Sequence, residues 1–150
     1  AHEYIFLLSK NVKYYFDNES IKEDGVIKAG TKGAKGSQER QNQKGVNARP
    51  PEYKIYDGKR NKRSVWTVTT KPFKGAHFAT FPPDLIEPCV LAGCPEGGTV
   101  LDPFGGAGTT GLVAEQNNRD SILIELNPDY IEIAKERLNN DAPLFNEVVA

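Results

Sequence analysis

Residues 102 to 111 read Asp-Pro-Phe-Gly-Gly-Ala-Gly-Thr-Thr-Gly, and the chemistry open to such a stretch is to bring the backbone close to a bound ligand. Gly105, Gly106 and Gly108 have no side chain in the way and can take positive φ. An acid follows at Glu125, and a carboxylate placed at the carboxyl end of a second strand can accept two hydrogen bonds from a ribose diol. A glycine bend followed by such an acid is what a nucleoside-bearing cofactor requires. Gly106-Ala-Gly-Thr-Thr-Gly111 also matches the dinucleotide fingerprint G-x-G-x-x-G, with Glu125 near the spacing expected of its ribose acid. Taken alone that match is weak, and the identity of the nucleoside stays open at this point.

To place these residues the chain needs a strand before the bend, a helix after it and a second strand beside the first. The sequence supplies all three. Gly97-Gly98 reads as a turn, Thr99 to Leu101 as a strand, Thr110 to Gln116 as a helix, Asn117-Asn118 as a turn and Ser121 to Leu126 as a strand. This is a βαβ unit and implies a parallel sheet. Asn127 can cap a last helix with Pro128 at its first position and Tyr130, Ile131, Ile133, Ala134 and Leu138 as its apolar side. The tail after Asn139 reads as frayed or loosely docked. Upstream, Pro82 and Pro83 suit a helix's first turn, and Leu85, Ile86, Cys89, Val90 and Leu91 share a face, although Pro88 should kink or end that helix. Residues 3 to 8, Glu-Tyr-Ile-Phe-Leu-Leu, read as a buried strand that Tyr14, Tyr15 and Phe16 extend or follow, and Val65 to Val68 as another. From Asp17 to about Gly45 the apolar period dissolves into a glycine- and lysine-bearing loop.

At 150 residues and 38% hydrophobic content the chain has the size and composition of one ordinary globular domain. It has no run of 18 apolar residues and no signal pattern, so no membrane role and a cytoplasmic location are expected. Cys89 and Cys94 lack the second pair or nearby histidine of a metal site and read as free thiols, so no metal is expected. The sequence contains no methionine, even at position 1, which suggests an absent N-terminal segment. Net charge is −1, but residues 28 to 63 hold eleven lysines and arginines against three acids, a balance of +8 that leaves the remainder at −9. Such segregation points to one segment that meets a polyanion.

Asp102-Pro-Phe-Gly-Gly-Ala-Gly-Thr-Thr110 resembles the methionine-binding motif of DNA methyltransferases that modify exocyclic amino groups. Ile122 to Arg137, with Glu125, Asn127, Tyr130, Ala134 and Arg137, resembles its continuation. Gly75-Ala-His-Phe-Ala-Thr-Phe-Pro82 with Leu85-Ile86 resembles the element that packs beside the cofactor, and residues 2 to 10 the strand before the target-recognition region. Four elements in one order are more specific than a single glycine loop. The resemblance implies a partial Rossmann-like α/β methyltransferase fold in permuted order, with S-adenosylmethionine as cofactor and double-stranded DNA as partner. It also implies that Asp102, Phe104, Gly106 and Gly108 line the methionine end, that Glu125 holds the ribose, and that Thr80 and Phe81 close over the cofactor.

The family's tetrapeptide of Asp, Asn or Ser, then Pro-Pro, then an aromatic ring, which holds the flipped base, has no match here. Arg49-Pro-Pro-Glu52 begins with a cation, and Phe81-Pro-Pro-Asp84 opens a helix. The catalytic residues are therefore expected before residue 1, from the same protein or a partner chain. The expected organisation is residues 1–16 as end strands of the catalytic core, 17–74 as a target-recognition insert and 75–150 as the cofactor-binding subdomain. In the insert Lys32, Lys35, Arg40, Lys44, Arg49, Lys59, Arg60, Lys62 and Arg63 are the expected phosphate contacts, and Asn42, Gln43, Asn47 and Arg49 could reach base edges. Tyr53 and Trp66 could stack on a base or serve a core. The expected function is methyl transfer to adenine N6 or cytosine N4, in a bacterial restriction system or a phage. A nicotinamide-dependent oxidoreductase and a non-catalytic DNA-binding or assembly module are the alternatives.

Overall fold

The structure, a computed structural model, describes residues 2–33, 54–69 and 81–141. Two compact units form, one of Lys22–Arg63 and one of Ala1–Ile21 with Ser64–Ala150.

The smaller unit holds four two-residue strands, β1 (Glu23–Asp24), β2 (Lys32–Gly33), β3 (Lys54–Ile55) and β4 (Lys59–Arg60). β1 pairs antiparallel with β4 and β2 with β3. From Asp17 to about Gly45 the sequence, lacking an apolar period, predicts only a loop, yet β1 and β2 fall within it. The β1–β4 ladder is instead marked by charge: Glu23 faces Arg60 and Asp24 faces Lys59 in register, so opposite charges sit on adjacent strands. Backbone bonds join the connecting segments, Gly25 N–H donating to Gly58 O at 2.7 Å and Gly30 N–H to Tyr56 O at 2.8 Å.

In the larger unit the order is α1 (Pro83–Gly93), β5 (Thr99–Asp102), α2 (Thr109–Gln116), β6 (Asp120–Leu123) and α3 (Pro128–Asp141). β5 and β6 run parallel, Thr99 opposite Asp120 and Asp102 opposite Leu123, with α2 as the connection. The βαβ unit is therefore present, and the fold is α/β. α2 packs on α1, α3 and both strands, which is why every residue from Thr109 to Ala114 is buried. With Val90 and Ala92 of α1, Ala107 and Ala134, these residues make the core. Small residues dominate it, so helix and sheet approach closely: a Cβ on Gly111 would meet Leu123 Cδ1 at 2.9 Å and Ser121 Oγ at 3.2 Å.

α1 continues through Pro88 rather than ending there. Its ring is buried beside Val90 and Ala92, and that apolar burial offsets the backbone bond that proline cannot donate. Asn127 caps α3 as expected, its Oδ1 accepting from Asp129 N–H at 2.9 Å. β6 was expected to reach Leu126 but ends at Leu123. β5 finishes at Asp102, and the next carbonyl, that of Ile124, accepts from Gly105 N–H at 2.8 Å instead of from a strand.

Two expected strands are absent. Residues 2 to 16 form no ladder, and Tyr4, Phe6 and Leu8 are 76%, 77% and 86% exposed. Residues 65 to 68 form none either, with Val65 exposed and Trp66 half-buried. A strand needs a neighbour to take its backbone groups, and among the described residues the larger unit pairs only β5 with β6. On that pair Leu101 and Ile122 lie opposite each other on the exposed side. A parallel sheet ordinarily buries both faces, and this one buries the face that meets α2.

No described helix is long and apolar enough to cross a membrane. Cys89 and Cys94 are half-buried thiols outside any disulfide, and among the described residues no group of His, Cys, Asp or Glu could hold a metal ion.

Candidate functional site

The bend between β5 and α2 is held from three sides. At its start Asp102, the last residue of β5, accepts from Phe104 N–H at 2.9 Å through Oδ1 and from the Thr110 hydroxyl at 2.6 Å through Oδ2. Thr110 lies in the first turn of α2 and is 5% exposed, so its buried hydroxyl is satisfied by the aspartate. One carboxylate thus ties the end of the strand to the start of the helix.

The middle of the bend is fixed by its glycines, for two kinds of reason. Gly106 and Gly108 take φ of 50° and 75°, the left-handed region, while Gly105 does not. Gly105 is required by contact instead: a Cβ there would lie 2.9 Å from Leu123 Cβ. Of the three glycines that can take positive φ, two do so. Gly108 is also the residue before α2 and gives that helix no side-chain cap. Its backbone sits on α3, where an added Cβ would meet Ala134 Cβ at 3.0 Å. Gly111, the last glycine of the fingerprint, serves helix-to-sheet packing, as its contacts with Leu123 and Ser121 show.

Glu125 closes the bend from the far side. Its Oε2 accepts from Gly106 N–H at 2.8 Å, and its Oε1 accepts from Leu126 and Asn127 N–H, both at 2.9 Å. The sequence placed Glu125 at the end of β6; it lies two residues beyond, in the turn that its own side chain organises. A carboxylate offers about four lone-pair positions. A ribose diol arriving at Glu125 therefore meets a group on which three backbone N–H groups already converge. Glu125→Ala is expected to loosen the bend before any ligand enters, with amide exchange at Gly106 and Asn127 accelerating about tenfold. Unchanged exchange at both amides would show that the carboxylate does not hold the loop.

Phe104 is 85% exposed and Phe81 37%, so neither ring is a core residue in this chain. Thr80 and His77 lie outside the described residues. The bend brings Asp102, Gly106, Gly108 and Glu125 into one hydrogen-bonded cluster, with Phe104 at its exposed edge. Two residues given no role by the sequence reading, Thr109 and Thr110, prove central to it. Their signal was a pair of hydroxyls directly after the glycines, at helix positions that α1, α3 and the sheet bury.

In the smaller unit, the expected phosphate contacts Lys35, Arg40, Lys44 and Arg49 lie outside the described residues, as do Asn42, Gln43, Asn47 and Tyr53. Of the others, Lys32 is exposed and Lys62 half-buried. Lys59 Nζ bonds Asp24 Oδ1 at 2.6 Å, while Arg60 Nε and Arg63 Nε lie 3.0 Å and 2.8 Å from Glu23 Oε1. The Lys59 ammonium, by hydrogen bond and charge, holds the Asp24 carboxyl below the usual carboxylate range. The local excess of positive charge counted along the sequence is thus partly offset in space by acids of β1, which lie outside the basic segment.

A DNA methylase family model, that of the N6 and N4 enzymes, matches residues 1–136. Among curated proteins, the chain is 43% identical over 141 residues to the Type II methyltransferase M.Cfr9I of Citrobacter freundii, covering 94% of this chain and 37% of that protein. It is 44% identical over 138 residues to the Type II methyltransferase M.SmaI of Serratia marcescens, covering 92% and 38%. Among solved structures, the cytosine-N4-specific PvuII DNA methyltransferase matches with a TM-score of 0.41 and 33% identity, over 51% of this chain and 25% of that one. The chain spans little more than a third of the length of the curated relatives.

Proposed function

The chain belongs to the N6 and N4 DNA methylase family, and from that premise we propose that it carries the S-adenosylmethionine-binding portion of a site-specific DNA methyltransferase. The reaction is methyl transfer to an exocyclic amino group of DNA, adenine N6 or cytosine N4, in a cytoplasmic restriction-modification setting. The observation that carries this reading is the bend from Asp102 to Thr109, closed by Glu125, within a chain that the family model matches over residues 1–136. The residues present fit a nucleoside cofactor. Gly106 and Gly108 leave the backbone bare at two left-handed positions, and two carboxylates flank them. Asp102, held by Thr110, would hold the cationic methionine end. Glu125 would take the ribose hydroxyls, and Phe104, exposed within the bend, and Phe81, exposed just before α1, would be the rings available to the cofactor. When bound, the cofactor supplies a sulfonium methyl group open to attack by the amino nitrogen of a base. Gly111 packing against Leu123 is also what a dinucleotide fingerprint would ask of its third glycine, so the methyl donor is favoured over the dinucleotide by the family match over residues 1–136 and not by the glycines.

The residues that hold the flipped base are supplied from outside this chain, by the rest of the same protein or by a partner. Phe81-Pro-Pro-Asp84 is not their source, because Pro82 and Pro83 start α1. The exposed apolar side of β5 and β6 and the exposed Tyr4, Phe6 and Leu8 support this reading, because a parallel sheet ordinarily has both faces covered. The experiment is transfer of labelled methyl from S-adenosylmethionine to plasmid DNA by the intact protein, followed by nucleoside analysis. Label on an exocyclic amino nitrogen is the expected result; no label, or label on a ring carbon, would contradict the proposal.

The smaller unit is the DNA-contacting region in this reading. Glu23 holds Arg60 and Arg63, so those guanidinium groups reach phosphate only in competition with it. Glu23→Gln in the intact protein is expected to steepen the fall of log K with log salt by about one to two, one for each added phosphate contact. An unchanged slope would place both arginines away from DNA.

A further inference from the structure

α3 holds the cofactor bend from behind, and one side chain makes the polar part of that contact. Arg137 Nη1 donates to Ala107 O at 3.1 Å and to Thr109 Oγ1 at 2.9 Å. Ala107 is the residue between the two left-handed glycines, and Thr109 is the first residue of α2. Both acceptors are buried, Ala107 3% and Thr109 5% exposed, so neither can turn to water if the guanidinium is removed. One turn before Arg137 on the same helix, Ala134 is the residue on which Gly108 rests. The bend therefore lies on a seat made of a methyl group and a guanidinium on successive turns of α3.

We infer that Arg137 is a positioning residue for the cofactor: it fixes the left-handed bend at Gly106 and Gly108 by holding the carbonyl and hydroxyl on either side of Gly108. It does not touch the cofactor and has no part in the chemistry of transfer. Gly108 offers no side-chain cap to α2. Asp102 and Glu125 hold Phe104, Thr110 and Gly106, backbone bonds from Gly108 N–H to Gly105 O and from Leu112 N–H to Gly108 O hold Gly108, and the side-chain hold on Ala107 and Thr109 is that of Arg137. The guanidinium is itself supported. Burial pushes its pKa down, but the charge of Asp141, one turn further along α3, opposes this. Asp141 in turn accepts from Gln116 Nε2 at 3.1 Å and 3.0 Å, which ties the end of α2 to the end of α3. A guanidinium suits the place because it keeps its charge when partly buried and carries several donors in a fixed plane.

The inference rests on the bend being the S-adenosylmethionine site, and its test separates the two. Three forms of the intact protein are compared, wild type, Arg137→Met and Arg137→Lys, by amide exchange without ligand and by S-adenosylmethionine titration. Methionine keeps most of the apolar stem, so the loss is confined to the donors. In Arg137→Met, exchange across residues 105–109 is expected to accelerate about tenfold, and the dissociation constant for S-adenosylmethionine to rise about tenfold. Exchange in α1 should stay unchanged, which a general loss of stability would not leave so. Arg137→Lys restores donors at a similar reach and is expected to recover at least half of both effects on a logarithmic scale. A second variant, Thr109→Val, removes one acceptor, and its effect on the dissociation constant should be less than additive with Arg137→Met. If exchange at 105–109 is the same in wild type and Arg137→Met, or if lysine recovers nothing, Arg137 does not position the bend. If the wild type itself fails to bind S-adenosylmethionine while the exchange difference persists, the clamp stands and the cofactor assignment falls.

Discussion

Asp102→Ala is expected to weaken S-adenosylmethionine binding by roughly a hundredfold and to lower thermal stability as well. Two separate losses combine. The buried Thr110 hydroxyl loses the carboxylate to which it donates at 2.6 Å, and an orphaned buried hydroxyl costs about 1–3 kcal/mol. That cost falls on folding and on the register between β5 and α2. The cofactor separately loses a carboxylate facing its cationic end, and hydrogen bonds to charged groups are worth about 1.5–3 kcal/mol. Asp102→Asn separates the two contributions. Its carboxamide can still accept from Phe104 N–H, and the Thr110 hydroxyl can turn to accept from the new amide donor. Stability should then be nearly retained while most of the affinity is lost. Isothermal titration and thermal unfolding of both variants provide the check. An alanine variant that binds within twofold of the wild type would remove Asp102 from the site.

The second large effect is expected at Gly108. Valine there must hold φ near 75°, a region that costs an L-residue roughly 1–2 kcal/mol and a β-branched one more. Its Cβ would also start 3.0 Å from Ala134 Cβ and 3.3 Å from Ala134 Cα, and overpacking of this kind costs about 1–3 kcal/mol. Gly108→Val is therefore expected to lose about 3–5 kcal/mol of folding stability and all measurable cofactor binding. Gly108→Ala combined with Ala134→Gly relieves the contact but not the backbone strain. The pair should recover part of the loss over Gly108→Ala alone. Thermal unfolding of the four proteins decides the matter, and a Gly108→Val variant as stable as the wild type would show that the bend is not built as described.

The parts of the fold that the sequence made legible are those in which local chemistry and packing agree. The turn at Gly97-Gly98, the short apolar run after it, the glycine bend and the Asn127-Pro128 cap each act within a few residues of themselves, and all are found. The extent of β6 was misjudged because the end of a strand is set by its partner: β5 stops at Asp102, and Ile124 passes to Gly105. Residues 3 to 8 and 65 to 68 have strand composition but no neighbouring strand, and composition alone does not supply one. β1 and β4 were missed for the opposite reason, since their signal is a pairing of charges across 35 or more residues rather than an alternation within either.

At the site, the glycines and the two acids could be found from type and order. What they are bonded to could not. That Gly105 is required by Leu123 and Gly108 by Ala134 follows from distances between segments, as does the engagement of Asp102 by Thr110. Thr109 and Thr110 look on paper like an ordinary polar start to a helix. Burial by α1, α3 and the sheet turns their hydroxyls into obligatory partners, one for Arg137 and one for Asp102.

The central claim is that the bend between β5 and α2 receives S-adenosylmethionine. Calorimetric titration of the intact protein with S-adenosylmethionine and, separately, with NADH tests it most directly. The account predicts saturable heat with the methyl donor, abolished in Gly108→Val, and none with NADH. Saturable heat with NADH and none with S-adenosylmethionine would contradict it.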